Sequence, residues 1–221
     1  MQQQCIADEL LHIQAGDDVA GFTLAQLLIE HAASPAPRLL ARVSFNNDEL
    51  SALAYIVEQE RRAIAKGTRG GKRYAVGIVE HVQNRVPDGF SADSLGAMGE
   101  VIARAVLHDH VNDWSELVAD KADKRPDFTL SGTSFDIKSA SYSRVNVAVR
   151  ADRVGSHYDA LVLVKLVRPS VADIYVVRNE PSGEKASWEW RPPACPARGD
   201  TPFYLVKLPK AMQTEYKAAA L

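Results

Sequence analysis

Apolar and polar positions along this 221-residue chain follow several rhythms, and each predicts an element. Around Asp127 and Lys138 the rhythm is strict alternation. Phe128 and Leu130 take one side and Asp127 and Thr129 the other; further on, Phe135 and Ile137 oppose Asp136 and Lys138. Successive side chains of a strand point to opposite faces, so this reads as two strands, and Ser131-Gly132 between them supplies the turn of a hairpin. From about Ser94 to His108 the period changes to that of a helix, with Leu95, Met98, Val101, Ile102, Ala105 and Val106 on one stripe and Ser91 or Asp93 as its cap. The opposite side carries Gly96, Glu100, Ala103 and Leu107, so this helix is expected to be covered on both sides. Tyr158 to Val167 is almost continuously apolar, the pattern of a strand buried on both faces, and Asp173 to Val177 follows after a turn at Pro169-Ser170.

The flanking regions are predicted more coarsely. Thr23 or its neighbour opens a helix over Leu24 to His31, and Ser34-Pro35-Ala36-Pro37 breaks the chain before Leu39 to Phe45. Asn46-Asn47-Asp48 caps another helix running to about Ala65, which makes residues 1–90 mainly helical. Val145 to Val154 fits a crossover or a strand, and Phe203 to Leu208 reads as a last strand. Of the aromatic residues in the tail, Trp188 and Trp190 suit either base stacking or core packing.

The hairpin carries the chemistry. If its strands pair, Asp127 and Asp136 converge, and two carboxylates suit Mg²⁺, a hard cation usually held by one or two acids plus phosphate oxygens and water. Lys138, two residues beyond an acid on the same face, is placed to orient or help deprotonate an attacking water and to offset charge developing on a phosphate. An Asp-x-Lys triplet alone is more often a solvated strand face with a weak cross-strand ion pair. Glu100 adds context, because a carboxylate on a helix covered on both sides needs a cation, a metal or hydrogen-bond donors; the competing reading is an (i, i+4) pair with Arg104.

Together, Pro126-Asp127, Asp136-Ile137-Lys138 and the upstream Gly99-Glu100 resemble the PD-(D/E)xK nuclease superfamily over roughly residues 91–180. The resemblance implies an α/β fold, with a central mixed sheet flanked by helices and a restriction-endonuclease-like core over 91–221. It further implies a metal-dependent DNA endonuclease, of restriction type or acting in recombination, repair or phage DNA processing. Asp127, Asp136, Glu100 and the carbonyl of Ile137 would hold Mg²⁺, with Mn²⁺ able to substitute, and Lys138 would act on water. A non-catalytic nucleic-acid-binding or assembly protein on the same fold is the rival.

Composition changes this picture little. A hydrophobic content of 46% with 24% charged residues is ordinary for a globular domain, and no apolar run reaches membrane-spanning length. Met1-Gln2-Gln3-Gln4-Cys5 does not have the pattern of a signal peptide, so a cytoplasmic protein without membrane contact is expected, with Cys5 and Cys195 as free thiols. A net charge of −2 means that attraction to DNA must be local. The candidates are Lys66, Arg69, Lys72 and Arg73, with Arg61 and Arg62 nearby, in a glycine-bearing loop that serves equally well as a solvated connector. This loop is not a P-loop: it has three residues between Gly67 and Gly71, and Arg73 stands where Ser or Thr would bind Mg²⁺, so ATP is not expected. His108-Asp109-His110 is a poor metal cluster, because imidazoles two positions apart at a helix end do not share a face. A homodimer is expected, with residues 1–90 available for the dimer contact or for DNA.

Overall fold

The computed structural model describes residues 12–15, 23–44, 92–114, 125–140, 146–168, 171–181, 187–193 and 201–209. The loop with Lys66, Arg69, Lys72 and Arg73, the 48–65 helix, Cys5, Cys195 and the Pro169-Ser170 turn lie outside them.

The backbone forms an α/β structure with two sheets. β1 (His12–Ala15), β2 (Arg38–Ser44), β3 (Asp113–Trp114), β4 (Phe128–Leu130), β5 (Thr133–Ala140), β7 (Ala160–Arg168) and β8 (Val171–Arg178) make a seven-stranded mixed sheet in the order β1-β2-β8-β7-β5-β4-β3. Its neighbours are antiparallel except for β5 and β7, which run parallel with Asp136 opposite Leu161 and Lys138 opposite Leu163. β6 (Asn146–Arg150), β9 (Trp188–Arg191) and β10 (Phe203–Lys207) form a second, antiparallel sheet with β10 in the middle.

Each face of the main sheet has its own core. On one, α1 (Leu24–Ala32) and α2 (Ala92–Leu107) bring Leu28, Ile102 and Leu107 against Phe135, Ile137, Val162, Val164 and Ile174. On the other, Val147, Val149, Trp188 and Val206 of the small sheet pack on Leu161, Leu163, Tyr175 and Val177. β7 and β8 are therefore buried on both sides, which explains why their apolar runs hardly alternate.

The mixed sheet is flanked by helices on one face, and among the described residues a small sheet covers the other. Val145 to Val154 resolves into strand β6 followed by a single 3-10 turn at Ala151–Arg153, and this strand is itself part of the crossover between parallel β5 and β7. Within residues 1–90, α1 is capped as predicted by Thr23, whose side chain pairs reciprocally with Gln26. The described remainder is extended, because β1 and β2 add to the main sheet beside β8. Asp93 lies within α2 rather than capping it. Ala103 and Leu107 are fully buried, which gives the two-sided cover expected of this helix, whereas Ala105 is only partly buried.

Candidate active site

The β4–β5 hairpin forms where the alternation places it. Leu130 faces Thr133, Thr129 faces Ser134 and Phe128 faces Phe135. Ser131 (φ 49°) and Gly132 (φ 82°) make the turn, both left-handed as a two-residue hairpin with right-handed twist requires. On the helix side, Phe128 stacks on Phe135 with centroids 4.8 Å apart, Trp114 lies 4.7 Å from Phe128, and the Arg104 guanidinium sits 4.8 Å over Trp114. This aromatic column ties α2 to the hairpin.

α2 is tied a second time at Gly99. A β-carbon there would fall 1.7 Å from the Ser139 Oγ, so only glycine lets the helix seat this deeply on β5. The next residue is Glu100, and the close approach brings its charge to the hairpin.

At the open end of the hairpin, Asp127 clamps β5. Its backbone N–H donates to the Phe135 carbonyl at 2.8 Å, and its Oδ2 accepts from the Ile137 N–H at 2.5 Å. Asp136 lies between these two bonds. The Asp136 side chain is buried and ion-paired to Lys138, whose Nζ also donates to the Ile137 carbonyl at 3.2 Å. Burial pushes the Asp127 carboxyl up to about 7, and the charges of Asp136 and Glu100 push the same way; the Ile137 hydrogen bond and Lys138 oppose them without prevailing. Glu100, Asp127, Asp136 and Lys138 are thus close enough to share one electrostatic environment.

The donor set fits a hard divalent cation. Two carboxylates and the Ile137 carbonyl supply the oxygens Mg²⁺ takes from protein, with water and phosphate completing its shell. Asp136 Oδ2 is a fully buried oxygen that completes no hydrogen bond of good geometry, and carboxylates crowded into partial burial invite a cation. In this structure the Lys138 ammonium occupies that role toward both Asp136 and Ile137. Among the described residues no group of three or more His, Cys, Asp or Glu could hold a metal ion, so Glu100 does not close a three-carboxylate cage with the aspartates. His108 bonds elsewhere: its Nε2 is 3.1 Å from Asp109 and its Nδ1 is 3.1 Å from the Ala105 carbonyl.

Sequence reasoning missed Tyr158 and Arg153. Tyr158 is buried with the small-sheet core, and burial together with the charge of Asp136 raises its pKa, so the phenol stays protonated. Arg153, in the 3-10 turn, lies close enough to Tyr158 to counter that shift. The two are drawn together by Asn179, whose Nδ2 donates at 3.0 Å to the carbonyls of both. The sole signal in the sequence was a tyrosine at the head of an apolar run.

No family model, no curated protein and no solved structure matches this chain. Among the described residues no helix is long and apolar enough to cross a membrane.

Proposed function

We propose that the chain is a Mg²⁺-dependent endonuclease that hydrolyses DNA phosphodiester bonds on a restriction-endonuclease-like PD-(D/E)xK core, with restriction of foreign DNA as its role. The observation that carries this reading is the junction of Asp127, Asp136 and Lys138 at the hairpin's open end, with Glu100 near enough to raise the Asp127 carboxyl. Asp127, Asp136 and the Ile137 carbonyl would hold the cation. A bound Mg²⁺ would polarise a phosphoryl oxygen and lower the pKa of an attacking water. With Asp136 engaged by a cation, the Lys138 ammonium would be available to the water and the phosphate charge. Glu100 acts at one remove, orienting water rather than completing a carboxylate cage. The loop from Lys66 to Arg73, DNA contact by residues 1–90 and a homodimer belong to the same proposal.

A second reading has one observation in its favour. Asp127 already has structural work, satisfying the Ile137 N–H beside the end of the β4–β5 ladder, and Asp136 is already paired with Lys138. A non-catalytic nucleic-acid-binding protein would keep both contacts. Incubating the purified chain with mixed plasmid and phage DNA in Mg²⁺, then mapping the ends, separates the two. Breaks that need the cation and share a sequence support restriction, and breaks at branched or single-stranded DNA indicate recombination or repair. Intact DNA in both Mg²⁺ and Mn²⁺ favours the non-catalytic reading.

A further inference from the structure

Tyr158 stands immediately before β7, with its backbone fixed from two sides. On one side Asp159 binds Ser134: the Asp159 N–H donates to the Ser134 carbonyl at 3.0 Å, and Asp159 Oδ2 accepts from the Ser134 N–H at 2.9 Å and its hydroxyl at 2.7 Å. On the other, the Tyr158 carbonyl accepts from the buried Asn179 side chain. The first set ties Tyr158 to β5 just ahead of Asp136, and the second seats it in the layer between the sheets.

Its ring is buried and its hydroxyl oxygen is fully enclosed, completing no hydrogen bond of good geometry. The same holds for Asp136 Oδ2, which is in ionic contact with Lys138. Leaving a buried hydroxyl unsatisfied is destabilising, and a phenol offers a proton where a carboxylate can only accept one. Of the charges around the phenol, Asp136 acts most strongly, followed by Arg153 and Asp127.

We infer that Tyr158 is a positioning residue of this site: its hydroxyl donates to the Asp136 carboxylate and sets the angle at which Asp136 faces a divalent cation. Lys138 approaches the carboxylate from β5 itself, whereas Tyr158 approaches from the segment leading into β7, so the group is held from two directions. When the ammonium gives way to a cation, the phenol keeps Asp136 in place. The consequence for cation affinity rests on the metal reading of the hairpin; the Tyr158–Asp136 bond does not.

The test is a double-mutant cycle on the full chain with Tyr158→Phe, Asp136→Ala and the pair, read by urea unfolding and by Mn²⁺ binding without DNA. Tyr158→Phe keeps the ring and removes only the hydroxyl. It is expected to lower the folding constant on the order of tenfold when Asp136 is present, and to have little effect in the Asp136→Ala background. It should also weaken Mn²⁺ binding about tenfold, as loss of a ligand's supporting partner does. Equal effects on folding in both backgrounds would overturn the bond. Unchanged Mn²⁺ affinity in Tyr158→Phe, against a wild type that binds, would overturn the positioning role even if Asp136→Ala fails to fold. A wild type that binds no Mn²⁺ refutes the metal reading instead, and the folding constants then decide the bond by themselves.

Discussion

Two sets of charges are built into the main sheet and its surroundings in opposite ways. At one end, three carboxylates, Glu100, Asp127 and Asp136, share an environment with Lys138, and burial first, then the neighbouring acids, raises the Asp127 carboxyl to about 7. Across β7 and β8, one carboxylate meets two cations. Asp173 is fully buried and takes a bidentate contact from Arg42, Nε to Oδ1 at 2.6 Å and Nη2 to Oδ2 at 3.1 Å. It also accepts a long bond from the Tyr175 hydroxyl at 3.4 Å and lies opposite Lys165 in the β7–β8 ladder. Burial lowers Lys165 to about 8 although Asp173 pulls the other way. The second set is a closed ionic joint between β2, β7 and β8. In the first, carboxylates lie close enough to raise one another. Burial of charge alone does not mark a function.

Exchanging the two acids gives the largest contrast. Asp136→Ala is expected to reduce Mg²⁺-dependent cleavage about a thousandfold or more while costing comparatively little stability, because it removes a cation ligand from a repulsive set. Asp173→Ala should do the reverse, costing about 3–5 kcal/mol by removing the buried carboxylate that Arg42 and the buried Lys165 share, with the cleavage rate per folded molecule near normal. Urea unfolding and plasmid cleavage on the same preparations check both. Lys138→Ala comes next, with roughly a hundredfold loss of rate and cation binding retained, and Lys138→Arg should not restore the rate fully. Calorimetry in which Lys138→Ala no longer takes up the cation would make the lysine structural.

Titration sharpens the contrast further. Asp127 has its folded pKa raised from 3.8 to about 7, so the fold prefers the protonated form. Between these values the folded chain binds more protons than the unfolded one, and the stability Asp127 contributes falls as pH rises through that window, on the order of a few kcal/mol, then levels off above it. Mg²⁺ should restore that loss at pH 8 and do little at pH 5, because cation and proton compete for the same carboxylate. Thermal unfolding of wild type and Asp127→Asn, with and without Mg²⁺, reads this directly, and the variant should lose the slope. The smallest effect belongs to Glu100. Glu100→Gln should reduce cleavage about tenfold and Arg104→Ala much less, whereas a simple helical ion pair would make both cost a few tenths of a kcal/mol and spare cleavage.

Much of the acid-rich site was legible because it is local. Phe128, Phe135 and Ile137 against Asp136 and Lys138 follow from strand alternation, and Ser131-Gly132 fixes the register from within the hairpin. α2, the doubly buried β7 and the existence of β8 also follow from short-range periodicity. The ionic joint was not legible, because Arg42 and Asp173 are 131 residues apart and no local pattern pairs them. The same limit hid the partition into two sheets. Alternation at Val147 and Val149 tells which side of β6 is buried, but not that it is buried against Leu161 and Tyr175 across a layer. Tyr158 escaped notice because its polar end matters only once Asp136 lies beside it. The sequence singles out Gly99 only through its neighbour Glu100, because its own work, allowing α2 onto Ser139, exists only in the packed structure.

The acid-rich end is expected to take up a divalent cation, and the ionic joint is not. Calorimetric titration of Mg²⁺ into the purified chain at pH 8, for wild type, Asp127→Asn and Lys165→Met, tests it most directly. The expected result is binding by wild type and by Lys165→Met alike, and loss of binding in Asp127→Asn with its fold intact. Absence of binding in wild type, or equal binding in Asp127→Asn, would contradict it.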